Sequence, residues 1–133
     1  MDIRAVSTLE LGAWSEETYQ GAADAPAMAR ATATQVFSGD IEGESRLEML
    51  MTYHPDGSAS SVGLERVVGR VGGRAGSFVL QHSGSLEDGV TKANLAVVPG
   101  SGTHELNGLH GHGWCVRPAG KPGAITLEYS FEG

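Results

Sequence analysis

A glutamate and a histidine on the two arms of one predicted hairpin have the clearest potential for chemistry in this chain. Two β-rich runs flank Gly72-Gly73, a residue pair typical of a two-residue hairpin turn. Counting outward from that turn places Glu65 opposite Leu80 and His82 two positions further along the second arm. Because opposed residues share a sheet face and side chains alternate between faces, Glu65 and His82 are predicted to lie diagonally on one face, with Cβ atoms roughly 7–8 Å apart.

This pair offers acid–base chemistry on a face that is otherwise apolar, since its other members are Val67, Phe78 and Leu80. Burial raises the pKa of a glutamate and imidazole titrates near neutrality, so the two are predicted catalytic residues. In that interpretation Glu65 and His82 meet few obligatory partners. The alternative is structural, with Glu65 paired to Arg66 or Arg74 and His82 bound to backbone. A bulge or a longer loop would change the pairing.

Apolar and aromatic side chains are predicted to surround a ligand on the same interior face. Residues 43–53 alternate with period two and carry two methionines, which suit an adaptable pocket, although ordinary core packing is the alternative. Aromatic residues make up only 6% of the chain, so the two tryptophans are expected to dominate the core. The predicted ligand-binding residues are Trp14, Met49, Met51, Tyr53, Phe78, Leu80 and Trp114.

The remaining chemical motifs are weak. His110-Gly-His112, with His104 nearby, has the donors for a metal, but the segment is glycine-rich and only Glu105 accompanies it, so no metal site is predicted. Ser101 lies in Pro-Gly-Ser-Gly, which differs from the nucleophile elbow of hydrolases. Phosphate-binding and dinucleotide-binding glycine motifs are missing from the sequence, and no cofactor is expected.

Length and composition predict one domain spanning 1–133 with a modest core. Nine basic residues against 16 acidic ones give a net charge of −7, which disfavours nucleic acids and anionic membranes as partners. No apolar run reaches the length of a membrane span, and the N-terminal residues lack the pattern of a signal peptide. The single cysteine, Cys115, is expected to be a small buried hydrophobe, and a cytoplasmic location is predicted.

Turn signals at short spacing divide the chain into eight predicted strands. Beside the two arms of the hairpin, these cover residues 3–14, 28–38, 43–53, 90–98, 113–117 and 125–131. Residues 15–27 are predicted to form a long acidic loop and residues 103–109 a short helical turn. The pattern indicates an all-β fold, a barrel or a sandwich. We expect a closed eight-stranded antiparallel barrel, whose interior is filled or holds one small ligand.

Several segments resemble, in order, those of a family of small bacterial proteins of unknown function. They are Phe-Ser-Gly-Asp-Ile-Glu-Gly at 37–43, Gly63-Leu-Glu-Arg66, Gly73-Arg-Ala-Gly-Ser-Phe-Val-Leu-Gln-His82, Val98-Pro-Gly-Ser-Gly-Thr103 and Gly108-Leu109. The resemblance implies an allene oxide cyclase-like, or dirigent-like, barrel. Fold relatives of that type include plant allene oxide cyclase, dirigent proteins and bacterial cyclases, which steer the cyclisation of an apolar substrate inside the barrel. The resemblance implies no reaction and assigns no catalytic residue.

Three functions are compatible with these observations. The first is a cofactor-free isomerase or cyclase that holds an apolar metabolite in one conformation and stabilises charge with one or two polar groups. The second is a non-catalytic carrier or sensor of a small apolar ligand, and the third is an oligomerising barrel with a filled core. Val62, Leu64 and Val68 fall on the predicted outer face, so we expect a homo-oligomer, most simply a dimer.

Overall fold

Antiparallel pairing of neighbouring strands around a full circle organises the chain. The computed structural model describes residues 2–22 and 25–132. Its strands pair in chain order and close into an eight-stranded barrel, as predicted. They are β1 (Ile3–Ala22), β2 (Ala25–Gly39), β3 (Ile41–Tyr53), β4 (Ala59–Val71), β5 (Arg74–Glu87), β6 (Val90–Val97), β7 (Leu109–Arg117) and β8 (Gly123–Phe131). One turn of 3₁₀ helix, His104–Leu106, lies within the segment predicted to be a helical turn.

The hairpin that carries the predicted catalytic pair has the expected register. Gly72 and Gly73 both have positive φ, 56° and 85°, as a two-residue turn of this kind requires. Glu65 pairs with Leu80, and Gly63 pairs with His82. The three apolar residues predicted to lie on the outer face are exposed there, since Val62, Leu64 and Val68 have 54–57% of their surface accessible.

The prediction of a long loop at residues 15–27 is wrong. β1 continues to Ala22 and β2 begins at Ala25, while residues 23–24 lie outside the described part of the chain. Ser15 and Glu16 pair with β2 in the same ladder as the earlier residues, after a register shift between Leu11 and Trp14. The described side chains of this segment, as far as residue 19, are exposed, so the segment lacks the alternation that marks a half-buried strand.

This extension of β1 leaves the wall of the closed barrel incomplete at one end. β1 pairs with β8 only over Ile3–Leu9, and no described strand pairs with its remaining length on that side. The interior is therefore accessible at the end of the barrel where β1 extends beyond β8.

Apolar side chains fill the opposite end of the barrel. The main buried cluster consists of Ala5, Leu9, Phe37, Ile41, Val67, Val71, Phe78, Leu80, Leu95, Val97, Leu106, Leu109, Ile125, Leu127 and Tyr129. Leu106 of the 3₁₀ turn is fully buried and caps this end. Within residues 2–22 and 25–132, no helix has the length and apolar character needed to cross a membrane.

The segment between β6 and β7 completes the wall of the filled end. β6 pairs with β5 only from Leu80 onward, so the earlier part of β5 needs other hydrogen-bond partners. Val79 donates its backbone N–H to Ser101 Oγ at 3.0 Å, and Ser77 donates its own to Thr103 Oγ1 at 2.9 Å. Ser101 thus has a structural role, consistent with the absence of a nucleophile motif around it.

The expectation that two tryptophans dominate the core is wrong. Trp14 is 44% exposed and Trp114 is 42% exposed. Trp114 points outward because the flanking Gly113 and Cys115 occupy the inward positions of β7. Trp14 lies on the extension of β1, where β8 no longer pairs with β1.

Candidate functional site

Four consecutive strands place polar groups around one buried carboxylate inside the barrel. Glu65 of β4 is 1% exposed. Its Oε1 lies 2.7 Å from Nε2 of His82 on β5, and its Oε2 accepts a hydrogen bond of 2.8 Å from Nε2 of Gln35 on β2. Ser45 of β3 also donates its hydroxyl to Oε2. The predicted pair is therefore in direct contact, but the expectation of few obligatory partners is wrong for Glu65.

The hydrogen bonds keep the Glu65 carboxyl ionised. Burial is the largest single influence and raises its pKa, as predicted, but the hydrogen bond and charge of His82 oppose it. The hydrogen bonds from Ser45 and Gln35 act in the same direction as His82, and together these groups hold the pKa below the ordinary value of 4.5. The expected raised pKa is therefore wrong, because the carboxylate has exchanged water for three donors.

The ionised carboxylate determines the orientation and tautomer of His82. Since Oε1 of Glu65 can only accept, Nε2 of His82 must carry the proton that they share. In the neutral ring, Nδ1 then carries the lone pair, and none of the described residues hydrogen-bonds it. His82 also lines an internal cavity, so it can exchange a proton with a bound molecule while Glu65 orients the ring.

A cation is linked to this network through the amide of Gln35. Arg117, at the end of β7, donates Nη2–H to Gln35 Oε1 at 2.6 Å. The amide therefore accepts from a cation on one side and donates to the Glu65 carboxylate on the other. These two hydrogen bonds fix the orientation of the Gln35 amide and place a positive group near the buried Glu65 carboxylate.

An apolar cavity of about 230 Å³ occupies the open end of the barrel. Its wall includes His82, Gln35, Arg117 and four residues predicted to bind a ligand, namely Trp14, Met49, Met51 and Tyr53. Phe78 and Leu80 do not reach it, since both pack in the filled end. Trp114 stands outside the barrel wall, which places it apart from the interior site.

Glu16 connects two aromatic residues at the mouth of the cavity. Tyr53 donates its hydroxyl to Glu16 Oε2 at 2.6 Å, and Trp14 donates Nε1–H to Oε1 at 3.2 Å. Burial, together with the hydrogen bond and charge of Glu16, raises the pKa of Tyr53 to about 12. Tyr53 therefore remains a protonated donor at neutral pH, and Glu16 holds both rings beside the opening.

The Cys115 thiol lies in the cavity wall but is a poor nucleophile. Burial, reinforced by the negative charge of Glu65, raises its pKa to about 11. The thiolate is the reactive form, so this cysteine acts as the small hydrophobe that the sequence suggested.

Two of the three histidines considered as metal ligands, His104 and His110, have different partners. His110 Nε2 lies 3.2 Å from the Glu132 carboxylate, while His104 Nδ1 lies 3.3 Å from the Thr103 hydroxyl. In the described part of the chain, no three residues of the types that bind metals are grouped.

Sequence reasoning missed Gln35, Ser45 and Arg117. Each occupies an inward position of its strand, and Gln35 pairs with Ser45 across β2 and β3. Polar residues at inward positions between apolar neighbours are a usable signal, because a buried polar group requires partners. These residues are found only when the inward and outward positions are assigned along every strand, and not along one hairpin alone.

The chain belongs to the family described as "Protein of unknown function (DUF3224)", whose profile matches residues 5–129. A crystal structure at 1.84 Å resolution of a protein of unknown function from this family, from Shewanella oneidensis MR-1, is similar throughout. The two sequences are 31% identical, the match covers 100% of each chain, and the TM-score is 0.85. No curated protein matches the sequence. The predicted family is thus confirmed, and the same fold is found in a relative.

We expect Glu65→Ala to lower the free energy of unfolding by about 3–5 kcal/mol, because three buried donors lose their acceptor. His82→Ala should cost less, since Glu65 keeps the hydrogen bonds of Gln35 and Ser45. Urea denaturation measures both changes. Glu44→Ala, which removes an exposed carboxylate from the same barrel wall, is the matched control and should stay within about 0.5 kcal/mol. Equal effects at positions 65 and 44 would contradict the buried network.

The stability of the protein should decrease in acid through Glu65. Its folded-state pKa lies below 4.5, so its contribution is present above that pH and is lost as the pH falls through the lower folded value. Denaturation midpoints measured between pH 3 and pH 6 should therefore fall more steeply for the native chain than for Glu65→Gln. Parallel curves for the two proteins would show that Glu65 ionises alike in the folded and unfolded states.

Proposed function

We propose that this protein is a small-molecule-binding barrel that acts as a cofactor-free isomerase or cyclase on a mostly apolar metabolite. The observation that carries the proposal is the position of His82, between an ionised buried carboxylate and an apolar cavity. An imidazole held in this way is a suitable general base, because its orientation and tautomer are set before the substrate arrives. We also propose that the barrel is of the allene oxide cyclase-like type.

The proposed chemistry is a proton transfer within one bound molecule. His82 Nδ1 removes a proton from a carbon beside a carbonyl, and the electron pair of the C–H bond moves into an enolate. The imidazolium is stabilised by Glu65, and it returns the proton to another carbon of the same molecule. The reaction is an isomerisation and requires no oxidant or reductant. Met49, Met51 and Leu47 contribute an apolar wall around the substrate.

The second candidate is a carrier or sensor that binds in the same cavity without turnover. Glu16, Trp14 and Tyr53 at the mouth favour it, since a hydrogen-bonded set of rings beside the opening can retain a ligand. A completely filled barrel, the third possibility, is disfavoured by a cavity of about 230 Å³.

We expect the protein to accelerate the isomerisation of 3-cyclohexen-1-one to its conjugated isomer. This ketone has acidic C–H bonds and is small enough for the cavity, and its conjugation is followed by ultraviolet absorbance. His82→Ala should lower the rate at least about 100-fold, the scale of general-base catalysis. His112→Ala, an exposed histidine on the outer wall, is the matched control and should leave the rate unchanged.

Two results would oppose this function. Isomerisation that persists in His82→Ala would exclude His82 as the base. Binding of the ketone without any isomerisation, and without exchange of its α-protons for deuterium in D₂O, would favour the carrier or sensor.

We also propose that the protein forms a homodimer in the cytoplasm. A groove of about 560 Å³ on the outer face is lined by the exposed apolar residues Leu50, Val62 and Leu64. Exposed apolar patches of this kind mark interaction sites, and two-fold symmetry is the commonest way to cover them. A single cysteine, with no partner for a disulfide in the same chain, suits a reducing compartment.

Leu64→Lys should convert this dimer to a monomer without unfolding it, because a charge at the centre of an apolar contact is desolvated on association. Light scattering at micromolar concentration should give twice the 13.8 kDa mass of one chain for the native protein and the single mass for the variant. Glu87→Lys, an exposed position away from the groove, serves as the control. A native protein of 13.8 kDa would refute the dimer.

A further inference from the structure

We infer that the cavity binds a compact organic acid, whose carboxylate is held by Arg117. This inference rests on the proposed function, because it assigns a ligand class to the same cavity. Arg117 is the last residue of β7, half-buried, and in the wall beside the apolar residues. Its guanidinium was not among the groups that the sequence singled out.

The surroundings of Arg117 fix its side chain in an inward orientation. Gly123 of β8 is buried against it, and a Cβ at that position would lie 3.4 Å from both Cβ and Nε of Arg117. The hydrogen bond to Gln35 holds the other end of the side chain. Both the stem and the head of Arg117 are therefore supported, which is what a preorganised binding group requires.

The charge of Arg117 is not neutralised by a direct ion pair in the described part of the chain. No carboxylate of the described residues lies within 4.0 Å of its guanidinium nitrogens. The nearest acid in the network, Glu65, is reached only through Gln35 and already accepts three hydrogen bonds. A guanidinium has five N–H donors, and the described hydrogen bonds use one of them. A half-buried cation that has free donors and lies in the wall of a cavity favours a bidentate anionic partner, above all a carboxylate.

The rest of the cavity limits the size and polarity of that acid. Its volume of about 230 Å³ matches roughly eight water molecules at ~30 Å³ each, which suits one ring or a short branched chain. The apolar wall includes Ala33, Leu47 and Met51, so the group attached to the carboxylate is hydrocarbon-like. His82 lines the same cavity, which allows the carbon skeleton of the acid to reach the imidazole while Arg117 holds its carboxylate.

Calorimetric titration with cyclohexanecarboxylate and with cyclohexylmethanol tests this assignment. The two probes share a ring and differ in charge, so their affinity ratio isolates the contribution of the cation. We expect the native protein to bind the acid at least about tenfold more tightly than the alcohol, the scale of a charge-assisted hydrogen bond. Arg117→Gln should reduce the ratio to below about threefold, because it weakens binding of the acid more than binding of the alcohol.

Two further variants separate recognition from structure. Arg66→Gln removes the same charge from the outer face and should keep the tenfold ratio. Arg117→Lys keeps a cation at the site and should retain part of the preference, which also tests the inference if Arg117→Gln does not fold. If Arg117 only supports Gln35, Arg117→Gln will lower the melting temperature while the acid remains preferred, and that result overturns the inference.

The failure of this inference differs from the failure of the proposed function. Equal binding of the acid and the alcohol by the native protein would overturn the ligand class and leave the binding cavity intact. Binding of neither probe would overturn the ligand class and would oppose the cavity as a binding site for small molecules.

Discussion

The buried carboxylate of Glu65 is the constraint on which the interior of this barrel depends. An ionised group that is 1% exposed must replace all of its lost water, and here strands β2, β3 and β5 each provide one donor. Those donors meet the carboxylate only in the observed register, because a slip of one residue moves each inward side chain to the outer face. The hydrogen bonds thus specify the pairing of four strands as well as the orientation of His82.

The same network joins two regions with different physical roles. On one side of it, side chains such as Phe78, Val67 and Ile125 fill the barrel, and the 3₁₀ turn closes it. On the other side, β1 runs past β8 and the interior stays open. The polar groups of this network therefore lie between an apolar core and an accessible cavity. In that position they are shielded enough to interact strongly and still reach a bound molecule.

The sequence could predict what depends on local rules. The Gly72-Gly73 turn fixed the register of one hairpin, and the strand period then placed Glu65 and His82 on the inner face. The closed barrel followed from turn spacing and family resemblance. The extension of β1 was missed because its exposed residues show no alternation, and the tryptophans were misplaced because aromatic size does not determine which side of a strand faces inward. Arg117 is 82 positions from Gln35 in the chain, so their contact exists only after the barrel closes.

The separation of the filled end from the cavity has an evolutionary consequence. Most of the apolar burial that stabilises the barrel lies in the filled end, away from residues such as Met49 and Trp14 that border the cavity. Substitutions at the open end can therefore reshape the cavity while the folding free energy is maintained elsewhere. A shared barrel in proteins that are 31% identical is compatible with different ligands, and family membership alone is a weak guide to the molecule that each member binds.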